Sequence, residues 1–172
     1  MPPETLAAIK LILLDVDGVL TTGDVVYTDS GEQIQSFSVK DGLGLRLAMN
    51  GGLRAGIVTG RTSGALRHRC RNLGIDLVFD NVRDKAAKLP EIVAGTGIAA
   101  EQMAFIGDDL PDIPLMRRVG LAIAVADAAP EVLAAADMVT TAQGGRGAVR
   151  EACEKLLKAR GAWDTVLERF TR

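Results

Sequence analysis

A short apolar segment that ends in two carboxylates constrains the fold of this chain most strongly. Residues Leu11-Ile12-Leu13-Leu14 lead directly into Asp15-Val16-Asp17-Gly18-Val19-Leu20-Thr21. A short continuous apolar run is typical of a strand that is buried on both faces of a parallel sheet. Two carboxylates about 4 Å apart repel by roughly 4 kcal/mol at an effective dielectric constant near 20. A divalent cation reverses that repulsion, and Mg²⁺ prefers oxygen ligands. The segment therefore predicts a metal-assisted site for an anionic substrate, with one acid free to act as a nucleophile.

The remainder of the chain alternates between strand-like and helix-like segments. We predict strands at 11–16, 53–58, 76–79, 103–106, 121–125 and 138–139, and helices at 41–50, 62–73, 84–94, 115–119, 130–136 and 148–160. Segments 25–27 and 34–39 flank Asp29-Ser30-Gly31-Glu32 and predict a hairpin inserted at about 24–39. A tail of about 160–172 follows the last helix. The alternation predicts an α/β fold, in which helices flank a central parallel sheet with right-handed crossovers.

Size and composition indicate a single domain and exclude several functional classes. The 172 residues fit one domain spanning 1–172. A net charge of -2 argues against a nucleic-acid partner. We find no apolar stretch near the ~20 residues that a membrane span needs, and the N-terminus lacks the basic start of a signal peptide. Cys70 and Cys153 form no C-x-x-C pair, so we expect a reducing, cytoplasmic location.

Polar residues follow three of the predicted strands, where the ligands of open α/β sheets bind. The Asp15/Asp17 pair ends the first strand, Thr59-Gly60-Arg61 follows the second, and Gly107-Asp108-Asp109-Leu110-Pro111-Asp112 follows a later one. The hydroxyl and free N–H groups at Thr59 suit a phosphate, particularly at the start of a helix. Lys85 offers a cation to neutralise phosphate and the nucleophile. Together these residues predict phosphoryl chemistry, with one carboxylate attacking phosphorus and the other serving as the general acid and base.

Each of these residues also has a simpler structural interpretation. An isolated acidic pair is often a solvated turn, Thr59 resembles a helix cap, and Lys85 resembles its exposed neighbour Lys88. The convergence of acids at two strand ends favours the functional interpretation. The single histidine, His68, lies among arginines and is typical of a solvated helix face, which argues against histidine catalysis. The glycine-rich stretches match no nucleotide-binding pattern.

The order D-x-D, Thr, Lys, G-D-D-x-x-D resembles the haloacid dehalogenase superfamily of phosphohydrolases, over nearly the whole chain. By this resemblance the fold is Rossmann-like and Asp15 is the nucleophile that becomes an aspartyl-phosphate. Asp17 protonates the leaving alkoxide and then activates the hydrolytic water.

The same resemblance implies a cofactor and its ligands. Mg²⁺ is held by the side chains of Asp15 and Asp108 and by the backbone carbonyl of Asp17. Asp109 and Asp112 support the metal shell. The groups that bind the phosphoryl moiety are Thr59, Gly60 and Lys85.

Further segments resemble the 3-deoxy-D-manno-octulosonate 8-phosphate phosphatase family. They are Val39-Lys40-Asp41-Gly42-Leu43-Gly44, Arg69-Cys70, Asp84-Lys85, Val125-Ala126-Asp127-Ala128 and the stretch 144–149. In that family a hairpin stands in place of a cap domain, and tetramers form through the hairpins, so another subunit covers each active site. The resemblance implies that Arg61 and Arg69 contact an acidic sugar phosphate and that Arg146 and the tail help to close the site. Asn81 stands where we expect Gly, and Asn tolerates left-handed geometry.

Three alternatives remain open from the sequence. The substrate is either this eight-carbon sugar acid phosphate or a nine-carbon 2-keto-3-deoxy sugar acid 9-phosphate, since the motifs of the two enzymes are nearly identical. A phosphoacceptor receiver domain also uses an acidic pair, Thr, Lys and Mg²⁺, but its Lys comes last, whereas here Asp108 follows Lys85. A catalytically silent binding module is the third, and the intact motifs argue against it. The sequence does not indicate whether the tail covers its own site or a neighbour's.

Overall fold

The computed structural model describes residues 3–171, except for the side chains of residues 169 and 171. The strands in these residues are β1 (Leu11–Leu14), β2 (Val26–Tyr27), β3 (Gln33–Ile34), β4 (Arg54–Val58), β5 (Leu77–Phe79), β6 (Met103–Gly107), β7 (Leu121–Ala124) and β8 (Met138–Val139). The helices are α1 (Pro3–Ala8), α2 (Val39–Asn50), α3 (Gly64–Leu73), α4 (Leu89–Thr96), α5 (Ile113–Met116), α6 (Pro130–Ala135), α7 (Ala148–Ala159) and α8 (Trp163–Thr171). Short 3₁₀ turns cover Ala86–Lys88, Ala100–Gln102 and Leu110–Asp112.

Within the described residues, six strands form a parallel sheet in the order β5-β4-β1-β6-β7-β8. Strand β1 is central, and Leu14 lies opposite Ile57 of β4 on one side and Ile106 of β6 on the other. Strands β4 and β5 lie on one side of β1. The next strand of the sheet, β6, lies on the opposite side of β1, followed by β7 and β8. The carboxyl ends of β1 and β6 therefore flank a topological switch point, where open α/β sheets bind their ligands.

The central strands are apolar because both of their faces are covered. All four residues of β1 are fully buried, as are Met103–Ile106 in β6 and most of β7. Burial of one such side chain contributes about 1.5–3 kcal/mol. The predicted α/β architecture with a central parallel sheet is confirmed.

The hairpin lies between β1 and α2, as predicted, but its paired strands are short. Strands β2 and β3 pair antiparallel, with Val26 opposite Ile34, and β3 ends at Ile34. The predicted strand at 34–39 was too long, because Val39 already begins α2.

Two helices near the ends of the chain were not predicted. Helix α1 has six residues and buries none of them, so it leaves no helical periodicity in the sequence. The stretch interpreted as a tail contains α8, where the Trp163 ring packs against α7. The Lys158 ammonium lies 5.1 Å from the ring centroid and the Arg150 guanidinium 5.7 Å from it. None of the helices in the described part of the chain is both long and apolar enough to cross a membrane.

Asp41 connects two helices that are distant in sequence. The helix predicted over 41–50 begins earlier, at Val39, because Ser38 is the N-cap and accepts a hydrogen bond from the Asp41 amide. The Asp41 carboxylate is almost fully buried and accepts hydrogen bonds from the amides of Gly147 (3.1 Å) and Arg150 (2.8 Å). It thus satisfies N–H groups at the start of α7, which lack partners within that helix.

We expect Asp41→Ala to lower the free energy of unfolding by about 2–3 kcal/mol, because it leaves buried N–H groups without an acceptor. Asp41→Asn should cost less, since its single amide oxygen can still accept one of the two bonds. Urea unfolding of both variants measures this, with Asp76→Ala as the control at an exposed position. If Asp41→Ala lowers the free energy of unfolding by no more than Asp76→Ala does, the capping role of Asp41 is contradicted.

Candidate active site

The loop after β1 places Asp15 and Asp17 at the switch point. The Asp15 amide donates to the carbonyl of Ile106 (3.0 Å) and continues the ladder with β6. The next turn closes on Val16, whose carbonyl accepts from the amides of Leu20 and Thr21. Gly18 has φ +85°, and a Cβ there would overlap the Asp108 carboxylate. Only glycine therefore allows this loop to approach the second acidic segment so closely.

Carboxylates from both segments converge on one point. Ligand oxygens of Asp15, Asp108 and Asp112 all lie within 4.8 Å of one another. Lys85 lies beside them, with its Nζ 2.8 Å from Asp15 Oδ1 and 2.5 Å from Asp112 Oδ1. Its side chain is only 5% exposed, so the interpretation of Lys85 as a solvated surface residue does not hold.

The electrostatics of the cluster reflect crowding of like charges. Burial, followed by the neighbouring carboxylates Asp112 and Asp15, raises the pKa of Asp108 to about 7. Burial also raises the pKa of Asp15 to about 6, although Lys85 opposes the rise. Burial alone would lower the pKa of Lys85, but Asp15 and Asp112 more than offset that effect and raise it. The lysine therefore stays charged while two of the acids hold protons unusually strongly.

Asp112 organises the loop that carries Asp108. Its Oδ2 accepts hydrogen bonds from the amides of Asp108 (2.9 Å) and Asp109 (3.3 Å), while its Oδ1 pairs with Lys85. Asp109 in turn accepts from the Leu110 amide at 2.8 Å. Asp112 thus uses both oxygens internally, whereas Asp108 Oδ1 is buried and has no hydrogen-bond partner among the described residues.

The Thr59 segment forms a loop beside the cluster. Thr59 is buried, its carbonyl accepts from the Val82 amide (3.0 Å), and its hydroxyl lies 3.4 Å from the Arg61 amide. Helix α3 begins at Gly64, two residues later than predicted, and is capped by Ser63, so Thr59 lies in the loop before it. The left-handed geometry expected at the neighbouring Asn81 is confirmed, with φ 55°.

These elements surround an open cleft of about 500 Å³. Most of the predicted site residues line it, namely Asp15, Asp17, Thr59, Gly60, Arg61, Lys85, Asp108, Asp109 and Asp112. The cleft also contains residues that we did not single out, which are Gly23, Val82, Arg83 and Pro111. Arg83 precedes Lys85 by two positions, and that proximity is the only sequence signal for it.

Two predicted substrate contacts do not line this cleft. The Arg69 guanidinium donates to the carbonyl of Ser38 at 2.9 Å and lies against α2. Arg146 is exposed, and its amide donates to the carbonyl of Gln143. The single chain therefore brings Arg61, but neither of these two arginines, into the cleft.

The donor set fits a hard divalent cation. Mg²⁺ binds carboxylate and carbonyl oxygens together with water. An Asp108 oxygen lies within 4.8 Å of an Asp15 oxygen, and Asp108 Oδ1 is buried with no hydrogen-bond partner among the described residues. The Asp17 carboxylate lies outside this group: it accepts a hydrogen bond from Gln35 Nε2 (3.3 Å) and lies 3.7 Å from Arg61 Nε. The side chains of Asp15 and Asp108 are thus available for metal, and the Asp17 side chain is available for another role.

We expect Asp108→Asn to stabilise the metal-free protein at neutral pH. With its pKa near 7, folded Asp108 keeps a proton that the unfolded chain releases near its ordinary pKa of 3.8. The stability of the metal-free protein therefore falls as the pH rises between these values. One pKa unit corresponds to about 1.4 kcal/mol. After a discount for solvent screening, the free energy of unfolding of the variant should exceed that of the wild type by about 1–2 kcal/mol at about pH 8. This corresponds to a rise of roughly 2–8 °C in Tm.

Thermal unfolding in EDTA and in Mg²⁺, between about pH 5 and about pH 8, measures this gain. Mg²⁺ should raise the Tm of the wild type and of the exposed control Asp76→Asn, but not that of Asp108→Asn. A variant that Mg²⁺ stabilises as much as the wild type would contradict the assignment of Asp108 as a ligand.

Comparison with known proteins places this cleft in a family. A family model described as haloacid dehalogenase-like hydrolase matches residues 75–151, which include Lys85 and the second acidic segment. The chain is 43% identical over 156 residues to the 3-deoxy-D-manno-octulosonate 8-phosphate phosphatase of Escherichia coli K12. The match covers 91% of this chain and 83% of that protein.

Solved structures agree with the sequence match. The phosphatase of the same description from Moraxella catarrhalis, in complex with a magnesium ion, a phosphate ion and a KDO molecule, has a TM-score of 0.95 and 38% identity. That match covers 98% of this chain and 97% of the other. The phosphatase from Yersinia pestis has a TM-score of 0.92 and 40% identity, covering 94% of this chain and 88% of the other. On the combined evidence of motif order, cleft geometry and these likenesses, the chain belongs to the 3-deoxy-D-manno-octulosonate 8-phosphate phosphatase family of haloacid dehalogenase-like hydrolases.

Proposed function

We propose that this protein is a Mg²⁺-dependent phosphatase that converts 3-deoxy-D-manno-octulosonate 8-phosphate to 3-deoxy-D-manno-octulosonate and inorganic phosphate. The observation that carries the proposal is the buried Lys85 between Asp15 and Asp112, beside the Asp108 carboxylate at the switch point. The substrate is taken from the relatives, which carry this name at 43% identity. The reaction would supply a lipopolysaccharide precursor in the cytoplasm, and the chain would act as one hydrolase domain.

The same cluster supports a proposed position for the metal and for the phosphate. The side chains of Asp15 and Asp108 and the backbone carbonyl of Asp17 would hold Mg²⁺, supported by Asp109 and Asp112. When bound, the ion supplies positive charge that neutralises the phosphoryl oxygens. Further contacts to the phosphoryl group would come from the Lys85 ammonium, the Thr59 hydroxyl and the Gly60 amide, which line the same cleft.

Asp15 would perform the first displacement. One carboxylate oxygen of Asp15 attacks phosphorus, the bond from phosphorus to the sugar oxygen breaks, and Asp17 gives a proton to that departing oxygen. The product of this step is an aspartyl-phosphate and the free sugar acid. Lys85 favours attack because its positive charge lies beside the nucleophile and the incoming phosphoryl group.

The second displacement would restore the enzyme. A water molecule attacks phosphorus, Asp17 accepts its proton, and the bond between phosphorus and the Asp15 oxygen breaks to release inorganic phosphate. Asp17 is suited to both proton transfers because its carboxylate lies outside the metal cluster and is part of the cleft lining. General acid and base catalysis of this kind contributes about 10²–10⁴-fold.

The acidic end of the sugar requires cationic contacts. Arg61 lines the cleft with a side chain that is 44% exposed, and its contacts with Gln33 (3.1 Å) and Asp17 (3.7 Å) hold the guanidinium there. We infer that Arg69 and Arg146 act at the outer boundary of the site, where a neighbouring subunit would close it.

Phosphate release from a panel of sugar phosphates tests this function. We expect the eight-carbon 3-deoxy sugar acid 8-phosphate to have the highest kcat/KM, with no turnover in EDTA. Preference for the nine-carbon 9-phosphate would move the assignment to that substrate. Equal turnover of unrelated phosphates would contradict both specific assignments.

In the same assay Asp15→Asn should lower phosphate release by at least about 10³-fold while the protein remains folded, because an amide is a poor nucleophile. Asp76→Asn is the matched control at an exposed position. Unchanged activity of Asp15→Asn would contradict the assignment of Asp15 as the nucleophile. A wild-type protein that becomes stably phosphorylated without turnover would favour the receiver alternative.

We also infer a homotetramer assembled through the hairpins, with each site covered by another subunit. The hairpin exposes a group of large apolar side chains, which are Val25, Val26, Tyr27 and Ile34. Tyr27 is 62% exposed and Ile34 is 53% exposed. An exposed apolar patch on a short two-stranded ribbon marks an interaction surface, and an unpaired strand edge readily pairs with another chain.

Val26→Lys should therefore shift the protein from tetramer to smaller species in light scattering, because it places a charge on the paired surface. Activity toward the sugar phosphate should fall more than activity toward p-nitrophenyl phosphate, which needs no sugar contacts. Val139→Lys, at an exposed position in the edge strand β8 of the six-stranded sheet, is the control. If the assembly formed by Val26→Lys has the same mass in light scattering as the wild-type assembly, assembly through this hairpin is contradicted.

A further inference from the structure

Gln35 connects the hairpin with the catalytic loop. Its Nε2 donates to Asp17 Oδ1 at 3.3 Å, and its Oε1 accepts from the Ser63 hydroxyl at 2.5 Å. The side chain is half-buried and lies just after β3. One amide therefore joins a carboxylate of the β1 loop to the N-cap residue of α3.

The hydrogen-bond network fixes the orientation of this amide. An ionised carboxylate only accepts hydrogen bonds, so Gln35 must present its NH₂ group to Asp17. The Ser63 hydroxyl then donates to Oε1. Ser63 is itself held in place, because its oxygen accepts from the Leu66 amide at 3.3 Å as the N-cap of α3. The amide is thus anchored on a helix rather than only on the exposed hairpin.

Besides Gln35, an ion pair with Arg61 is the other contact of the Asp17 carboxylate that the described residues provide. The Asp17 side chain is 23% exposed, and the second oxygen faces Arg61 Nε at 3.7 Å, which is beyond hydrogen-bond distance. Among the described residues, Gln35 is the donor that holds this carboxylate by a hydrogen bond. Without it, the terminal torsion of Asp17 would be broad, as is usual for a carboxylate.

We propose that Gln35 is the positioning residue for Asp17, holding one oxygen so that the other faces the departing oxygen of the substrate. This inference rests on the proposed phosphatase function and adds a residue to its proton-transfer step. Gln35 transfers no proton itself. It acts only by restricting the orientation of Asp17.

The consequence depends on the leaving group. When the ester bond breaks, a basic leaving oxygen needs the proton from Asp17, whereas a weakly basic one such as p-nitrophenolate departs with little help. A misplaced Asp17 should therefore impair poor leaving groups most. The value of kcat/KM reports steps up to the departure of this group, so it is independent of the later hydrolysis of the aspartyl-phosphate.

Gln35→Met is the sharpest variant, because methionine is close in length but has no amide, and Gln35→Ala serves as the second variant. We expect kcat/KM to fall about 10-fold for phenyl phosphate and less than about 3-fold for p-nitrophenyl phosphate, a fraction of the range for acid catalysis. Across a series of aryl phosphates the dependence on leaving-group pKa should become steeper. Glu32→Gln, at an exposed position in the same hairpin, should keep the wild-type slope.

The controls separate this proposal from the function on which it rests. Aryl phosphates carry no sugar acid, so the identity of the natural substrate does not affect the slope. A wild type that is inactive on all phosphates would refute the phosphatase function. If the wild type is active but Gln35→Met loses kcat/KM equally on every aryl phosphate, or loses none, the role of Gln35 is overturned. The phosphatase function would still stand in that case. Tm and mass measured by light scattering should match the wild type, which excludes loss of fold or assembly as the cause.

Discussion

The buried ammonium group of Lys85 is the interaction on which the site depends. An unpaired charge at 5% exposure would cost several kcal/mol, and here two carboxylates, Asp15 and Asp112, compensate it. With Asp108 the cluster holds three carboxylates against one ammonium group, so it lacks two positive charges. In the metal-free protein, protons supply part of that deficit, as the raised pKa values of Asp15 and Asp108 indicate. A divalent ion supplies all of it, so protons and metal compete for the same oxygens.

Close backbone packing holds this cluster in register. The glycine loop 144–147 before α7 packs against the loop after β1, where the Gly145 amide donates to the carbonyl of Val19 at 2.8 Å. A Cβ on Gly144 would overlap the Gly18 carbonyl, and the Gly144 amide donates to Asp127 at 2.9 Å. Because Asp41 caps the start of α7, that helix, the glycine loop and the β1 loop form one continuous support beneath the cleft. Asp127 and residues 144–147 therefore support the loops of the site without lining the cleft.

The sequence was most informative where a local pattern decides the structure. Continuous apolar runs located β1, β4, β6 and β7 within one or two residues, and the acids at their ends identified the cleft. Contacts between distant segments left no such pattern. Lys85 and Asp112 are 27 positions apart, so the burial of Lys85 depends on a fold that no local rule describes. Asp is a residue type that often begins a helix, yet the Asp41 carboxylate caps α7, which starts more than 100 positions later. Helix α1 was missed because none of its residues is fully buried, although Leu6 packs against the core.

The hairpin carries two surfaces with different chemistry. Its apolar side chains, such as Val26 and Ile34, are exposed, whereas the glutamines that follow the pleat turn inward, Gln33 toward Arg61 (3.1 Å) and Gln35 toward Asp17. A two-stranded ribbon alone is only marginally stable, so a partner on the apolar side would add to the restraint that Ser63 places on Gln35. Pairing with other hairpins would restrict the ribbon and, through Gln35, the acid. A small hydrolase with a hairpin in place of a cap domain would in this way gain both substrate enclosure and orientation of its proton donor from assembly.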